Sequence, residues 1–321
     1  MRLTRLISWI FWVGVTIPGI SVVSGQTFPS KPIRIVTGAA GGGADFVGRL
    51  IAQGVSASLN QSVLIENRGG ALVIPVQAVS KAPPDGYTLL LYSNGMWTLP
   101  FMQKVPYDPA KDFLPVTLAT SQPNILVVHP SVPVKSVKEL VAQAKARPGA
   151  LNYATGPAGI PIHLAAELLK RMAGVNIAPV FYKGSAAALT AVISGEVNLM
   201  FPTATQMIAY RQSDKLRSLA VTSAQPSALA PGLPTIASSG FPGYEVVSLF
   251  FFLAPAGTPA AIVNRLNQEI VQVLNRPDIK ERLFKAGVEA MPSTPEQVTS
   301  AMKVEMATMG KLIKDIGLRA D

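Results

Sequence analysis

The stretch Ile33-Arg34-Ile35-Val36-Thr37-Gly38-Ala39-Ala40-Gly41-Gly42-Gly43-Ala44-Asp45-Phe46 decides the fold. It spells a β-branched strand, a glycine-rich turn and an acidic residue opening a helix. The apolar face of that helix is Phe46, Val47, Leu50, Ile51 and Val55 at helical spacing, and Asn60 is its stop. Glycines lack Cβ atoms and let backbone N–H groups come close to a ligand; a helix start behind them adds unpaired donors and partial positive charge. Two readings stand at this point: a plain tight turn with Asp45 as N-cap, or an anion site at a strand end.

Downstream, a strand over 62–66 ends in Asn67-Arg68-Gly69-Gly70-Ala71, and a short helix runs to Ser80. The turn Pro83-Pro84-Asp85-Gly86 feeds a strand over 87–92 that ends at Ser93-Asn94-Gly95. Strands alternating with helices predict parallel βαβ units, where ligands gather beyond the carboxyl ends of strands. Residues 107–113 read as a surface loop. A strand over 124–129 opens a second unit, followed by a helix over 137–146.

The opening pattern then recurs. A strand over 151–155 runs into Gly156-Pro157-Ala158-Gly159 and a helix from Pro161. A strand over 177–181 runs into Tyr182-Lys183-Gly184-Ser185, with Ser185 as N-cap of a helix over 186–194. Strands over 197–201 and 216–222 follow, and the apolar run 246–254 reads as a crossing back to the first unit. Helices are predicted over 259–274, 277–285 and 295–316. The expectation is an α/β chain of two lobes with a cleft between them, each lobe a mainly parallel sheet flanked by helices. Residues 26–123 and 246–321 form the first lobe and 124–245 the second.

Composition narrows the class. The chain has 321 residues, 49% hydrophobic and 14% charged, which favours packed cores over disorder. Residues 1–25 stand apart: Arg2 and Arg5, an apolar run over 6–20 broken by Gly14, Pro18 and Gly19, then Val23-Ser24-Gly25 before Gln26. This predicts a cleaved secretory signal in preference to a membrane anchor. The absence of cysteine excludes a disulfide framework, a thiol nucleophile and lipid attachment through an N-terminal cysteine. The formal charge is +10, and losing Arg2 and Arg5 leaves +8. No basic run or aromatic–basic interleaving points to nucleic acid, so the surplus fits attraction of small anions.

Catalytic chemistry finds little support. The two histidines are His129 and His163, and no Gly-x-Ser-x-Gly elbow or metal-ligand spacing occurs. Residues 38–43 do not fit Gly-x-Gly-x-x-Gly and no Gly-Lys-Ser/Thr is present, so no enzyme, metal or cofactor is expected. Instead, helix starts near Ala44, Pro161 and Ala186 each follow a strand and a small-residue turn. Each contributes about 0.3–1 kcal/mol toward a nearby anion, up to ~2 kcal/mol when partly buried. Hydrogen bonds to a carboxylate add about 1.5–3 kcal/mol apiece. A few of these reach micromolar affinity, about −8 kcal/mol.

The candidate ligand residues are Gly38, Ala39, Ala40, Gly41, Gly42, Gly43, Ala44 and Asp45, then Ser93, Thr155, Gly156, His163, Tyr182, Lys183, Gly184, Ser185, Ala186 and Thr203. Asp45 either caps its helix or touches ligand. Lys183 is either solvated or the one cation beside a helix start. His163, four residues before Glu167, is either a rim or capping group or a ligand contact.

The ordered motifs resemble the periplasmic solute-binding proteins of tripartite tricarboxylate transporters, the TctC or Bug family. The resemblance covers essentially the whole mature chain. It rests on Pro29-Ser30-Lys31-Pro32-Ile33-Arg34, Gly41-Gly42 with Asp45 and Arg49, Glu66-Asn67-Arg68, and Pro84-Asp85-Gly86-Tyr87-Thr88-Leu89. It continues through Asp112-Phe113, Pro148-Gly149, Tyr182-Lys183-Gly184-Ser185, Pro234-Thr235 and Ala254-Pro255-Ala256-Gly257-Thr258-Pro259.

The resemblance implies a two-lobed periplasmic-binding-protein fold of type II, closing like a flytrap on a small carboxylate without catalysis. It also implies delivery to membrane permease subunits by a monomer; a carboxylate sensor acting through a membrane partner is the alternative. Thr37-Gly38-Ala39-Ala40 departs from the family's Pro-Phe-Pro-Pro, Gly69-Gly70-Ala71-Leu72 is one residue short, and Ala191 replaces a common aspartate. Loss of an aromatic at Gly38 predicts room at the cleft floor for a ligand bulkier than a four-carbon diacid, an aromatic acid among them.

Overall fold

The computed structural model describes residues 28–319 except Gly42, Gly70, Pro157 and Gln212. The signal-peptide expectation over 1–25 lies outside the described residues. The chain opens with β1 (Ile33–Thr37), α1 (Gly43–Leu59), β2 (Val63–Asn67), α2 (Val73–Ser80) and β3 (Thr88–Ser93). Strand β1 lies between β2 and β3, with Ile35 opposite Ile65 on one side and Leu89 on the other, both pairings parallel. Burial of every β1 residue except Arg34 explains the β-branched Ile33, Ile35, Val36 and Thr37.

After α3 (Gly95–Thr98) comes β4 (Phe113–Pro123), then β5 (Ile125–Val128), α4 (Val137–Ala146), β6 (Asn152–Thr155) and α5 (Pro161–Ala173). The second unit continues with β7 (Ala178–Phe181), α6 (Ser185–Ile193), β8 (Leu199–Met200), α7 (Ala204–Met207) and β9 (Arg217–Val221). The chain ends with β10 (Val247–Pro255), α8 (Ala260–Asn275), α9 (Pro277–Lys285), β11 (Glu289–Ala290) and α10 (Pro295–Ile316).

Two sheets result, ordered β11-β4-β10-β3-β1-β2 and β7-β6-β8-β5-β9. Each repeats one plan. A parallel trio (β2-β1-β3, β7-β6-β8) is extended by antiparallel strands, β10 and β4 in one sheet and β5 and β9 in the other. The two-sheet α/β class is as expected, but parallel pairing is confined to the trios. The antiparallel part arises because the chain enters and leaves each sheet by strands that run back past the trio.

Strand β4 is the longest element absent from the sequence reading, which places a surface loop over 107–113; the short α3, α7 and β11 are absent from it too. Prolines at 115 and 123 argue against a central strand. The structure accommodates Pro115 where the β10 register slips, Phe252 facing Thr117 and Leu253 facing Pro115. The bulge removes the need for an amide at that point.

The first sheet carries α1, α8 and α9 on one face and α2, α3 and α10 on the other, each over its own apolar cluster. Neighbours on β10 point alternately to these faces: Phe252 packs toward α1 and α8, and Phe251 stacks on Trp97 at 4.2 Å. The second sheet has one large cluster, which also takes in Leu99, Met102 and three residues of α10, namely Met309, Leu312 and Ile313. The sheets are joined at Asn124, which is fully buried. Its N–H donates to Thr222 Oγ1 at 2.8 Å, its carbonyl accepts from the Thr222 N–H at 2.9 Å, and its Oδ1 accepts from the Ser248 hydroxyl at 3.1 Å.

Helices α1 and α8 cross at Gly54, where an added Cβ would lie 2.6 Å from a Val273 methyl. Gly54→Val is therefore expected to lower unfolding free energy by about 1–3 kcal/mol through overpacking. Combining it with Val273→Ala should recover part of the loss in urea denaturation; simple additivity of the two changes would show that this crossing is not the constraint.

Candidate functional site

The turn after β1 is fastened from beneath. Asp45 is the third residue of α1 rather than its N-cap, and it is buried. Its carboxylate accepts from the Gly41 N–H at 2.9 Å, from Asn67 Nδ2 at 2.9 Å and from Arg49 Nε at 3.2 Å, and Arg49 also pairs with it at 2.9 Å. Burial works to raise the Asp45 pKa, but the hydrogen bonds from Arg49, Gly41 and Asn67 and the Arg49 charge outweigh it and hold the carboxyl below its ordinary value. Asn67 Nδ2 also donates to the Gly38 carbonyl at 3.1 Å, and the Arg68 N–H to that of Thr37 at 2.9 Å. With these bonds directed inward, Ala39, Ala40, Gly41 and Gly43 remain exposed, and Gly38 and Ala44 are half-buried. Gly42 lies outside the described residues.

Two aromatic rings that the sequence reading passed over back this turn. A Cβ on Gly38 would sit 3.5 Å from the Tyr92 ring, and one on Gly43 would sit 3.2 Å from Phe250. The space left by a missing aromatic at position 38 is thus bordered by Tyr92, whose hydroxyl is pushed up to about 12 by burial. Tyr92 could have been found from its place beside Ser93 at the end of β3. Phe250 needed the β10–β3 pairing, which sets it opposite Ser93.

In the second unit, β6 ends at Thr155 and β7 at Phe181, and their turns meet. The Tyr182 N–H donates to the Thr155 carbonyl at 2.9 Å, and a Cβ on Gly156 would lie 3.5 Å from the Ser185 nitrogen. The N-cap of α6 is Gly184, not the expected Ser185, which is the first helical residue. Gly184 is extended and no side chain caps this helix, so the amides that open it keep no side-chain partner. Ser136, Thr203 and Thr294 do cap α4, α7 and α10. Lys183 and Ala186 are exposed, and among the described residues Lys183 makes no ion pair. The Tyr182 hydroxyl donates to Glu196 Oε1 at 3.0 Å, which draws its ring to the side.

His163 is 1% exposed and holds the 156–160 turn. Its Nδ1 accepts from the Gly159 N–H at 3.0 Å, which leaves the proton on Nε2. Its ring lies between Tyr153 at 6.1 Å and the edge of Phe181 at 5.3 Å. Burial lowers its pKa to about 4, with Glu167 opposing and Lys170 assisting. It is a neutral brace. Gly159, at φ 81°, has no room for a side chain, because a Cβ there would run into the Met102 thioether of the first unit.

The candidates thus form two clusters, residues 38–45 with 67–69 and 92–93, and residues 155–159 with 163 and 182–186. Among the described residues no hydrogen bond joins them. Ser93 is half-buried beside the first cluster. Thr155 is fully buried and its hydroxyl has no partner among the described residues, as is true of Thr37 at the matching end of β1. Thr203 stands apart: its side chain and that of Gln206 form the capping box of α7. A separate cavity of about 560 Å³ lies under α10, and none of the candidates lines it.

Residues 47–318 match the family described as tripartite tricarboxylate transporter family receptor, TctC. The chain is 32% identical over 325 residues to protein BugT of Bordetella pertussis, covering 99% of each. Among solved structures it is similar to R. palustris Rpa4515 with adipate, at 35% identity and a TM-score of 0.82, covering 91% of this chain and 99% of that one. It is also similar to MatC (Rpa3494) from Rhodopseudomonas palustris with bound malate, at 28% identity and a TM-score of 0.78, covering 89% and 100%.

The chain belongs to the TctC/Bug family of periplasmic solute-binding proteins, two-lobed receptors that bind small carboxylates, work with tripartite transporters and are not enzymes. Among the described residues no helix is long and apolar enough to cross a membrane.

Because His163 is neutral in the fold, its contribution to stability is present above pH 6.5 and lost as the pH falls toward about 4. His163→Gln should show a shallower acid-side loss than the parent in urea denaturation, and identical pH slopes would refute this role.

Proposed function

We propose that this chain captures a small carboxylate between the 38–45 and 182–186 turns through backbone amides, and delivers it to the permease subunits of a tripartite tricarboxylate transporter. The observation that carries the reading is the uncapped start of α6, whose extended Gly184 and exposed Ala186 leave first-turn amides open beside the 155–159 turn. In the first turn Ala39 and Ala40 are exposed, next to Gly41, whose own N–H is taken by Asp45. Neutral donors suit a receptor that must release its cargo, since no fixed counter-charge is buried with the ligand.

Removal of residues 1–25 as a signal would leave a periplasmic monomer with its first lobe in residues 26–123 and 246–321 and its second in 124–245. The ligand is bulkier than a four-carbon diacid: it is a six-carbon diacid or an aromatic acid. The apolar rings of Tyr92 and Phe250 behind Gly38 and Gly43 support this, as does the adipate bound by the relative at 35% identity.

Calorimetric titration with adipate, benzoate and malate tests it. Adipate or benzoate should bind at about micromolar strength and malate about tenfold or more weaker; a tight malate complex with no binding of the others would overturn the size assignment. Ser185→Pro removes one donor at a position where a helix tolerates proline. It should weaken the preferred acid by about tenfold or more with the melting temperature unchanged.

A further inference from the structure

The cavity under α10 lies on the face of the first sheet opposite the glycine turn. Leu249 lines it, whereas the next residue, Phe250, turns its ring to Gly43. Its walls come from both units: Ala301, Val304 and Met309 of α10, Leu164 of α5, and the stretch from Glu245 into β10. At about 560 Å³ it has the size of a small-molecule site and a mostly apolar lining.

The polar groups on the walls are uneven in sign. Glu245 and Glu305 are the ionisable side chains lining the cavity, with no lysine, arginine or histidine among the lining residues, in a chain of net charge +10. Neither carboxylate is in an ion pair among the described residues. Glu305 has one neutral partner, Asn94 Nδ2 at 2.5 Å. Asn94 Nδ2 also donates to the Val247 carbonyl, and its Oδ1 accepts from the Leu249 N–H. Burial, against the Asn94 bond and with the repulsion of Glu245, pushes Glu305 up to about 8. Glu305 is thus a neutral acid at pH 7, in a cavity whose lining supplies no counter-ion for its ionised form.

We propose that this cavity is a second ligand site, distinct from the carboxylate site, that takes an ammonium group carrying a hydrocarbon body. The ammonium lies between Glu245 at the exposed mouth and the half-buried Glu305, and the hydrocarbon lies along Leu164 and Leu249. A positively charged protein repels cations in general, so such binding would report these two carboxylates and not diffuse attraction.

Titration of the purified protein with hexyltrimethylammonium, whose charge does not itself titrate, tests the assignment against hexan-1-ol and hexanoate. The ammonium should bind, tightening about tenfold as the pH rises past about 8 and Glu305 ionises, while the alcohol and the acid bind about tenfold or more weaker. Glu305→Gln should remove the pH dependence and weaken binding about tenfold. Ala301→Leu, which fills the cavity from an α10 position, should abolish binding, and Ser185→Pro should leave it intact. No measurable ammonium binding, equal binding of the alcohol, or indifference to both Glu305→Gln and Ala301→Leu would overturn the proposal. None of these outcomes bears on carboxylate capture, which Ser185→Pro reports separately.

Discussion

Asn124 holds the two halves of the molecule in one arrangement. It sits where the chain passes from β4 to β5, and Ser248 of the returning strand and Thr222 at the end of β9 both bond to it. Each such bond is worth about 1 kcal/mol net, but leaving any of these buried groups unpaired costs about 1–3 kcal/mol. The two crossings therefore have to bend together. A second close approach of the two units lies at Gly159, where a Cβ would run into Met102.

With the crossing fixed, the two turns are supported by different chemistry. The first uses a charged knot, in which a buried carboxylate gathers an amide, an asparagine and an arginine. The second uses a neutral imidazole that accepts one amide and is packed between aromatic rings. Both solutions point the stabilising groups down and leave backbone outward. Asp45 and His163 are thereby satisfied within the protein, while Lys183 stays exposed without an ion pair among the described residues.

The repeated strand–turn–helix pattern was legible in sequence because its signals are local: β-branched strands, glycine turns, proline or acid at helix starts. The long C-terminal helices were legible for the same reason. Strand β4 was not, since its prolines are accommodated only by a slip in a partner more than a hundred residues away. Ser185 looked like a cap because serine often is one, yet Gly184 takes the extended position and Ser185 enters the helix. Asp45 was ambiguous until Asn67 and Arg49 were seen around it. Tyr92 and Phe250 enter the site through sheet pairing, which no local pattern encodes.

The last helix has a consequence for both units. Val298 and Met302 of α10 lie in a first-sheet cluster, while Met309, Leu312 and Ile313 lie in the core of the second sheet. The interior of the middle unit is therefore complete only with residues from the last helix. Part of it is supplied from the far end of the chain, so a truncation that takes α10 away would open the core of the second sheet as well as remove a helix from the first.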